Sequence, residues 1–263
     1  MITTKNTPLL PGWIDLGSPD PVASAEFYRS VFGWSAEDAG GEQTDGEGYL
    51  ILRKDDKAVG GVGTLTQPDA RSDWTVYVRA EDAEAKLAAA ETLGAAIRVP
   101  LMSVGEEGSL AQLTDPSGAE FALWQPGTFS GLEMACEDDS LLWIELYTRD
   151  PDAAKRFYGE LFGWQTDSFA MPEGSYDMWT TNPGENTASF GGMMQITEQL
   201  PFQDEKWVPY FMVADADATV ARAVEAGGSV LMPATDGPPG RLAALTDQFG
   251  ARFNLLKPVP MEG

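Results

Sequence analysis

The feature that most constrains this chain is an internal repeat. Trp13–Trp34 recurs at Trp143–Trp164 with a constant offset of 130 residues, and 11 of the 22 aligned positions are identical. A second match, at an offset of 132, aligns Leu113–Ala119 with Leu245–Ala251. Unrelated segments of this length would share only about one position, so the chain is a tandem duplication, and a fold built from two similar halves is required.

Each half contains a weaker duplication of its own. An apolar run leads to an Asp, an Ala-rich amphipathic stretch follows, and a Gly ends it. Asp supplies the N-cap oxygen for a helix, and Gly takes the left-handed conformation where the helix stops. Short β-rich runs follow each Gly, so the repeated unit is strand, helix and three strands. The Asp and Gly pairs are Asp20/Gly33, Asp82/Gly94, Asp150/Gly163 and Asp215/Gly227.

These patterns predict an α+β protein of tandem domains with four βαβββ units in total. Residues 1–126 form the first domain and residues 141–263 the second. Residues 127–140 carry turn-forming and acidic side chains with neither helical nor strand periodicity, so they are predicted to be the linker.

Composition excludes several function classes. The chain has 17 Lys and Arg, 41 Asp and Glu and no His, a formal charge of −24. Such a field repels phosphate backbones and anionic lipid surfaces, so neither nucleic acid nor membrane is an expected partner. Without His, a Ser-His-Asp triad and imidazole-ligated metal sites are impossible. The acidity is explained equally well by solubility or by attraction of a cationic small molecule.

Cellular location is predicted from cysteine usage and from the start of the chain. A single cysteine, Cys136, excludes an internal disulfide and is typical of a reducing compartment. Residues 1–13 contain no apolar run long enough for a signal sequence or a membrane helix. A cytoplasmic protein is therefore expected.

The four βαβββ units, and a half-end reading Asp-Pro-Ser-Gly-Ala-Glu-Phe-Ala-Leu-Trp over residues 115–124, resemble the vicinal oxygen chelate superfamily of glyoxalases, bleomycin-resistance proteins and extradiol dioxygenases. The Trp-Ile-Asp/Glu-Leu openings are similar to those of its two-domain glyoxalase-like subgroup, often labelled hydroxylase. The resemblance implies the fold but leaves the function open, because this superfamily includes isomerases, oxygenases, thiol transferases and metal-free drug binders.

The resemblance also locates the positions where metal enzymes of the superfamily carry His, Gln or Glu ligands. Only Asn254 among them has a side chain able to ligate a divalent ion. The family's metal site is therefore predicted to be lost, and no cofactor is expected. The positions are Trp13, about Thr75 and Ala122 in the first half, and Trp143, about Val208 and Asn254 in the second.

Strand alternation extends these positions into a predicted ligand-binding face in each half. The two faces are aromatic and acidic, with one arginine each. Aromatic rings of this kind stack on planar or cationic ligands, although ordinary core packing explains them as well. The predicted ligand-binding residues are Trp13, Asp15, Tyr77, Arg79, Glu120 and Trp124 in the first half, and Trp143, Glu145, Tyr147, Tyr210, Arg252 and Asn254 in the second.

Three carboxylates on these faces are candidates for catalysis: Asp15, Glu145 and Glu120. A carboxylate among aromatic rings can serve as a general base, because burial raises its pKa, or as the counter-ion of a bound cation. A structural ion pair or a hydrogen bond to a tyrosine is the competing interpretation.

Two functions follow from these residues. The first is a metal-free protein that binds a small cationic or aromatic compound, like the antibiotic-resistance branch of the superfamily, with the two domains pairing inside one chain as a monomer or a homodimer. The alternative is an enzyme: a glyoxalase or lyase, a dioxygenase, or a metal-free biosynthetic enzyme acting on an aromatic intermediate. The two halves differ at Ala122 versus Asn254, so we do not expect them to bind identically.

Overall fold

The computed structural model of the chain describes residues 1–5, 7–39, 48–65, 70–171, 175–184 and 189–259. The first half folds as two βαβββ modules, as predicted. Module 1 comprises β1 (Pro11–Ser18), α1 (Pro21–Phe32), β2 (Ser35–Asp38), β3 (Leu50–Lys54) and β4 (Lys57–Thr64). Module 2 comprises β5 (Asp73–Arg79), α2 (Ala83–Thr92), β6 (Ala96–Val104), β7 (Gly108–Thr114) and β8 (Glu120–Pro126).

The second half repeats this order. Module 3 comprises β9 (Leu141–Thr148), α3 (Pro151–Phe162), β10 (Gln165–Ala170), β11 (Ser175–Thr180) and β12 (Ser189–Gln195). Module 4 comprises β13 (Lys206–Met212), α4 (Ala216–Glu225), β14 (Ser229–Gly237), β15 (Gly240–Thr246) and β16 (Arg252–Pro258). The prediction of an α+β fold with four βαβββ units is confirmed.

The helices begin and end where the sequence predicts. Asp20 is the N-cap of α1 and accepts a hydrogen bond from the Ala23 amide at 2.9 Å, and the N-cap Asp residues of the other three helices make the same contact. The glycines at the opposite ends have positive φ angles of 73° to 98°. No helix in the described ranges is long and apolar enough to cross a membrane.

Each half forms one eight-stranded sheet. The strand order is β2-β3-β4-β1-β5-β8-β7-β6 in the first sheet and β10-β11-β12-β9-β13-β16-β15-β14 in the second. In each module the first and fourth strands are parallel. The helix returns the chain before the second strand, and the two antiparallel connections that follow restore the same direction in the fourth. The order is the same in both sheets, as expected for a duplicated sequence.

The compact units of the chain are not its two sequence halves. Unit 1 comprises Met1–Trp13, Val76–Gly131 and Trp143–Val208, and unit 2 comprises Ile14–Thr75, Leu132–Leu142 and Pro209–Gly263. Each unit thus combines chain from both halves. The predicted boundaries at residues 126 and 140 follow the sequence repeat. As domain boundaries they stay a prediction.

A buried Asp–Tyr–Trp network connects the two halves of the sequence within unit 1. The Tyr158 hydroxyl donates to Asp115 Oδ2 at 2.9 Å, and Trp207 Nε1 donates to the Tyr158 hydroxyl at 2.8 Å. Phe121 on β8 packs against rings of α3, with centroids 6.0 Å from Phe157 and 5.7 Å from Tyr158. Apolar side chains of module 2 are therefore covered by the helix of module 3.

Unit 2 contains the counterpart of this network. Trp74 Nε1 donates to the Tyr28 hydroxyl at 3.0 Å, and that hydroxyl lies 3.5 Å from Asp247 Oδ2. Phe253 on β16 packs against Tyr28 of α1 with the ring centroids 5.6 Å apart. The same chemistry thus joins module 4 to module 1, with a longer Tyr–Asp distance.

The buried Asp247 gives a testable pH dependence. Desolvation raises the pKa of Asp247 above its ordinary value, although backbone amides of residues 249–251 oppose that change. Since the folded pKa is raised, the folded chain holds this proton at a pH where the unfolded chain has released it, so its contribution to stability falls as pH rises. We expect the free energy of unfolding of the wild type, minus that of Asp247→Asn, to decrease as pH rises from about 4 through the folded pKa. Urea denaturation of both proteins across this range measures the difference, and a difference independent of pH would contradict the assignment.

Candidate functional site

Strand β9 presents three of the predicted ligand-binding residues on one face. Ile144 and Leu146 are fully buried, and alternation places Trp143, Glu145 and Tyr147 opposite to them. In the parallel register, Gly192 of β12 is the partner of Glu145. A Cβ atom at Gly192 would lie 2.9 Å from Trp143 Nε1, which places both residues on the same face.

A tyrosine from the neighbouring hairpin completes this face. The Tyr176 hydroxyl donates to Glu145 Oε2 at 2.7 Å, and Trp143 Nε1 donates to the Tyr176 hydroxyl at 3.2 Å. Glu145 is 2% exposed. We refer to Trp143, Glu145, Tyr147 and Tyr176, all in unit 1, as the Glu145 cluster. In this cluster a buried carboxylate accepts a hydrogen bond from a tyrosine hydroxyl and lies among three aromatic rings.

The electrostatics of the cluster fix the role of Tyr176. Burial of its hydroxyl, followed by the negative charge of Glu145, raises the pKa of Tyr176 well above its ordinary value, although part of this residue remains exposed. Tyr176 therefore stays protonated at neutral pH and acts as a hydrogen-bond donor. The group in the cluster that can accept a proton or balance a cation is Glu145.

Tyr147 is covered by a residue of the connection between β12 and β13. The Phe202 ring meets the Tyr147 ring edge-on, with centroids 4.8 Å apart and an interplanar angle of 83°. Both residues are buried. Two cavities of about 230 and 270 Å³ in unit 1 are lined by other residues, including Arg79 and Arg156 respectively.

Unit 2 holds a looser counterpart of the carboxylate–tyrosine pair. The Tyr49 hydroxyl lies 3.4 Å from Asp15 Oδ2, longer than an ordinary O–H···O bond. Gly61 makes room for this tyrosine as Gly192 does for Tyr176, since a Cβ at either glycine would lie 2.0 Å from the hydroxyl. Asp15 is half-buried. Of the two matched carboxylates, Glu145 is the more tightly held.

The predicted aromatic residues Trp13 and Trp124 both pack against Phe129 in unit 1. Ring centroids lie 4.8 Å apart for Trp13 and Phe129 and 6.1 Å apart for Trp124 and Phe129. Trp124 Nε1 also donates to the Phe129 carbonyl at 3.1 Å. Residues 127–131 of the predicted linker are thus ordered against β8.

Three other predicted residues of unit 1 lie in different surroundings. Arg79 is 1% exposed, and its guanidinium donates to carbonyl oxygens of residues 3, 12 and 130 at 3.3–3.5 Å. Burial lowers the pKa of Arg79 to about 10, so it remains charged at neutral pH. The Tyr77 hydroxyl accepts from Gln112 Nε2 at 3.2 Å, and the exposed Glu120 is paired with Arg98 at 2.6 Å. The partners in these contacts are residues outside the Glu145 cluster, and a role of Arg79, Tyr77 and Glu120 in ligand binding stays a prediction.

The remaining predicted residues belong to unit 2. Tyr210 on β13 is the register partner of Asn254 on β16. Arg252 and Asn254 are buried, at 3% and 1% exposure, and Tyr210 is half-buried. Their role in ligand binding stays a prediction.

The residues at the family's metal-ligand positions do not fit a metal ion. Ala122 and Val208 carry no donor atom, and the indole N–H of Trp143 is already donated to Tyr176. Among the residues that the structure describes, no group of three Asp, Glu or Cys side chains could hold one.

Sequence reasoning missed Tyr176, Tyr49, Phe202 and Phe129. The second glycine of each Gly-Gly pair, Gly61 in β4 and Gly192 in β12, makes room for a tyrosine hydroxyl, from Tyr49 just before β3 and from Tyr176 in β11. The repeat did not indicate these tyrosines, because the spacing from tyrosine to glycine differs between the halves: Tyr49 precedes Gly61 by 12 residues, whereas Tyr176 precedes Gly192 by 16. Phe202 and Phe129 lie outside the strands and carry no periodicity.

Comparison with known proteins gives consistent matches. Residues 140–255 match the family described as the glyoxalase/bleomycin resistance protein/dioxygenase superfamily, and residues 13–124 match the glyoxalase-like domain. The chain is 33% identical to "Putative glyoxylase CFP32" of Mycobacterium tuberculosis, over 96% of both chains. It is 34% identical to "Anthracycline biosynthesis protein DnrV" of Streptomyces peucetius, over 97% of this chain and 95% of that protein. The solved Mn(II)-bound glyoxalase from Novosphingobium aromaticivorans shares the fold, with a TM-score of 0.62 and 13% identity over 97% of this chain and 85% of that one.

Proposed function

Because this chain belongs to the glyoxalase/bleomycin resistance protein/dioxygenase superfamily, we propose that it binds a small aromatic, positively charged molecule at the Glu145 cluster without a metal ion. The observation that carries the proposal is the hydrogen bond from Tyr176 to the buried carboxylate of Glu145. It lies beside Trp143, which stands where metal enzymes of the family carry a ligand. A buried carboxylate is a strong counter-ion for a bound cation, and the Tyr176 hydroxyl fixes its orientation.

The chemistry of the surroundings supports this ligand class. The rings of Trp143, Tyr147 and Tyr176 offer surfaces on which a planar ligand can stack or a cation can rest. The charge of −24 attracts cations and raises their local concentration. The relative DnrV is named for anthracycline biosynthesis, and anthracyclines that carry an amino sugar combine a planar ring system with a positive charge.

The test is a calorimetric titration with an amino-sugar anthracycline and with its neutral aglycone. We expect Glu145→Gln to weaken binding of the amine by about 10- to 100-fold, since a charge-assisted contact is lost, and to leave aglycone binding nearly unchanged. Glu160→Gln on α3 is the matched control: it removes the same charge from an exposed position and should have no effect. The proposal would be overturned if Glu145→Gln bound the amine and the aglycone as tightly as the wild type does. It would also be overturned if binding required a stoichiometric metal ion.

The same geometry favours a second candidate, proton-transfer catalysis on an aromatic intermediate. Glu145 would act as general base, and the protonated Tyr176 would orient it. Glu145→Gln should then abolish turnover while leaving substrate affinity nearly intact. Loss of affinity and turnover together would identify Glu145 as a ligand contact.

A further inference from the structure

The chain covers part of its own proposed ligand-binding face with an aromatic side chain. Phe202 packs edge-on against Tyr147, and the two residues are only 8% and 3% exposed. Tyr147 lies two positions from Glu145 on the same face of β9, a separation of about 7 Å along the strand. A ligand ring that reaches Tyr147 beside Glu145 must therefore take the place that Phe202 occupies.

Hydrogen bonds attach the β12–β13 connection, which contains Phe202, to Thr148 and Arg149, the two residues that follow Tyr147. The Ile196 amide donates to the Thr148 carbonyl at 2.8 Å. At the other end of the connection, the Arg149 amide donates to Glu205 Oε1 at 3.0 Å, and the Arg149 guanidinium donates to the Gln203 carbonyl. Arg149 thus holds the segment that follows Phe202 by its main chain and by its side chain.

The contacts that Arg149 makes with this connection are partly open to water. The Arg149 side chain is 57% exposed, and its guanidinium lies 3.5 Å from Glu205 Oε1. The Glu205 side chain of this pair is only 8% exposed, so water reaches the pair from the arginine side. Gln203 Nε2 donates to the carbonyls of Thr197 and Leu200, so the connection has internal hydrogen bonds and can move as a unit.

We propose that Phe202 is a gate: its ring occupies the aromatic position beside Tyr147, and a planar aromatic ligand ring displaces it when residues 197–205 release from Arg149. The inference rests on the proposed function for the identity of the face. It adds a determinant of ligand specificity: a position for a flat ring next to the Glu145 carboxylate. Phe202 acts as a competitor for that position, so its removal should strengthen binding.

The experiment titrates 5-fluoroindole, a neutral flat probe, into variants of the full chain and follows the fluorine resonance. We expect Phe202→Ala to bind at least about tenfold more tightly than the wild type, because the competing ring is gone. Phe169→Ala on β10 is the control, since Phe169 is 47% exposed and its removal opens no buried slot. Unchanged or weaker binding by Phe202→Ala would overturn the gate. If urea denaturation shows that Phe202→Ala does not fold cooperatively, Phe202→Leu takes its place with the same expectation.

A second variant tests release without creating a cavity. Arg149→Ala keeps Phe202, so we expect faster amide hydrogen exchange in residues 197–205 and faster association of 5-fluoroindole. Unchanged exchange and unchanged association would overturn the role of Arg149. Failure of the proposed function is distinguishable: the neutral probe needs no counter-ion, so Phe202→Ala should bind it equally well when Glu145→Gln is added.

Discussion

Replacing Asp115 with alanine is expected to lower the free energy of unfolding by about 3–5 kcal/mol. Asp115 Oδ1 accepts hydrogen bonds from the backbone amides of Ser117, Gly118 and Ala119 at 2.8–2.9 Å and from the Ser117 hydroxyl at 2.8 Å. Its Oδ2 accepts from the buried Tyr158 hydroxyl. Alanine satisfies none of these donors, and several of them remain away from water. Urea denaturation measures the loss.

Asp247→Ala is the matched control for this prediction. Asp247 occupies the equivalent position in the second half, but it accepts from the amides of Phe249 and Ala251 and lies 3.5 Å from the Tyr28 hydroxyl. Because Phe249 stands where Ser117 supplies a hydroxyl donor, and because the tyrosine contact is longer, the loss of Asp247 should cost clearly less. An equal cost for the two variants, or a loss below about 1 kcal/mol for Asp115→Ala, would show that the Tyr158 network does not stabilise unit 1 as argued.

A methyl group at Gly192 is expected to disrupt the Glu145 cluster and to destabilise the chain by about 2–4 kcal/mol. The added Cβ would lie 2.0 Å from the Tyr176 hydroxyl oxygen and 2.6 Å from its Cζ, distances that atoms do not tolerate. Tyr176 must move, which breaks its bond to Glu145 and leaves that buried carboxylate without this donor. Gly192→Ala should therefore lose both stability, measured in urea, and binding of the amino-sugar anthracycline.

Two controls separate the clash from a general effect of alanine in a strand. Gly61→Ala brings a methyl group equally close to Tyr49, but it disturbs only the 3.4 Å contact between the Tyr49 hydroxyl and Asp15. The methyl group of Gly192→Ala would in addition lie too close to Trp143. Gly61→Ala should therefore cost less. In a Tyr176→Ala background, Gly192→Ala should be much milder than in the wild type, since the clashing ring is absent. Full additivity of the two substitutions would contradict the proposed contact.

Much of the local structure could be predicted from short patterns. The Asp and Gly of each helix act through their own backbone neighbours, so their spacing alone fixed all four helices. The repeat predicts three strands after each helix, but the residues of β2 (Ser35–Asp38) could not be identified, because it is an exposed edge strand with no apolar alternation. Its pairing with β3 is a backbone property that its side chains do not reveal.

Only part of the candidate site could be predicted from the sequence. Glu145 and Trp143 could be found, because alternation along β9 places them on one face. Tyr176 and Phe202 could not, because their contacts with β9 depend on a hairpin and on an irregular connection. What distinguishes Glu145 from Asp15 is likewise a distance, 2.7 against 3.4 Å, and no residue pattern encodes it.

By itself the sequence determined that the chain is a duplication of duplicated βαβββ modules, because repeats, caps and periodicity are local. Only the tertiary structure decided which modules share a core. Phe121 of the first half packs against α3 of the second, and Asp247 of the second half lies beside Tyr28 of the first. The physical reason is that the four modules offer similar apolar faces, so local patterns cannot choose among partners. That choice is made by packing between residues far apart in the chain, which only the folded structure brings together.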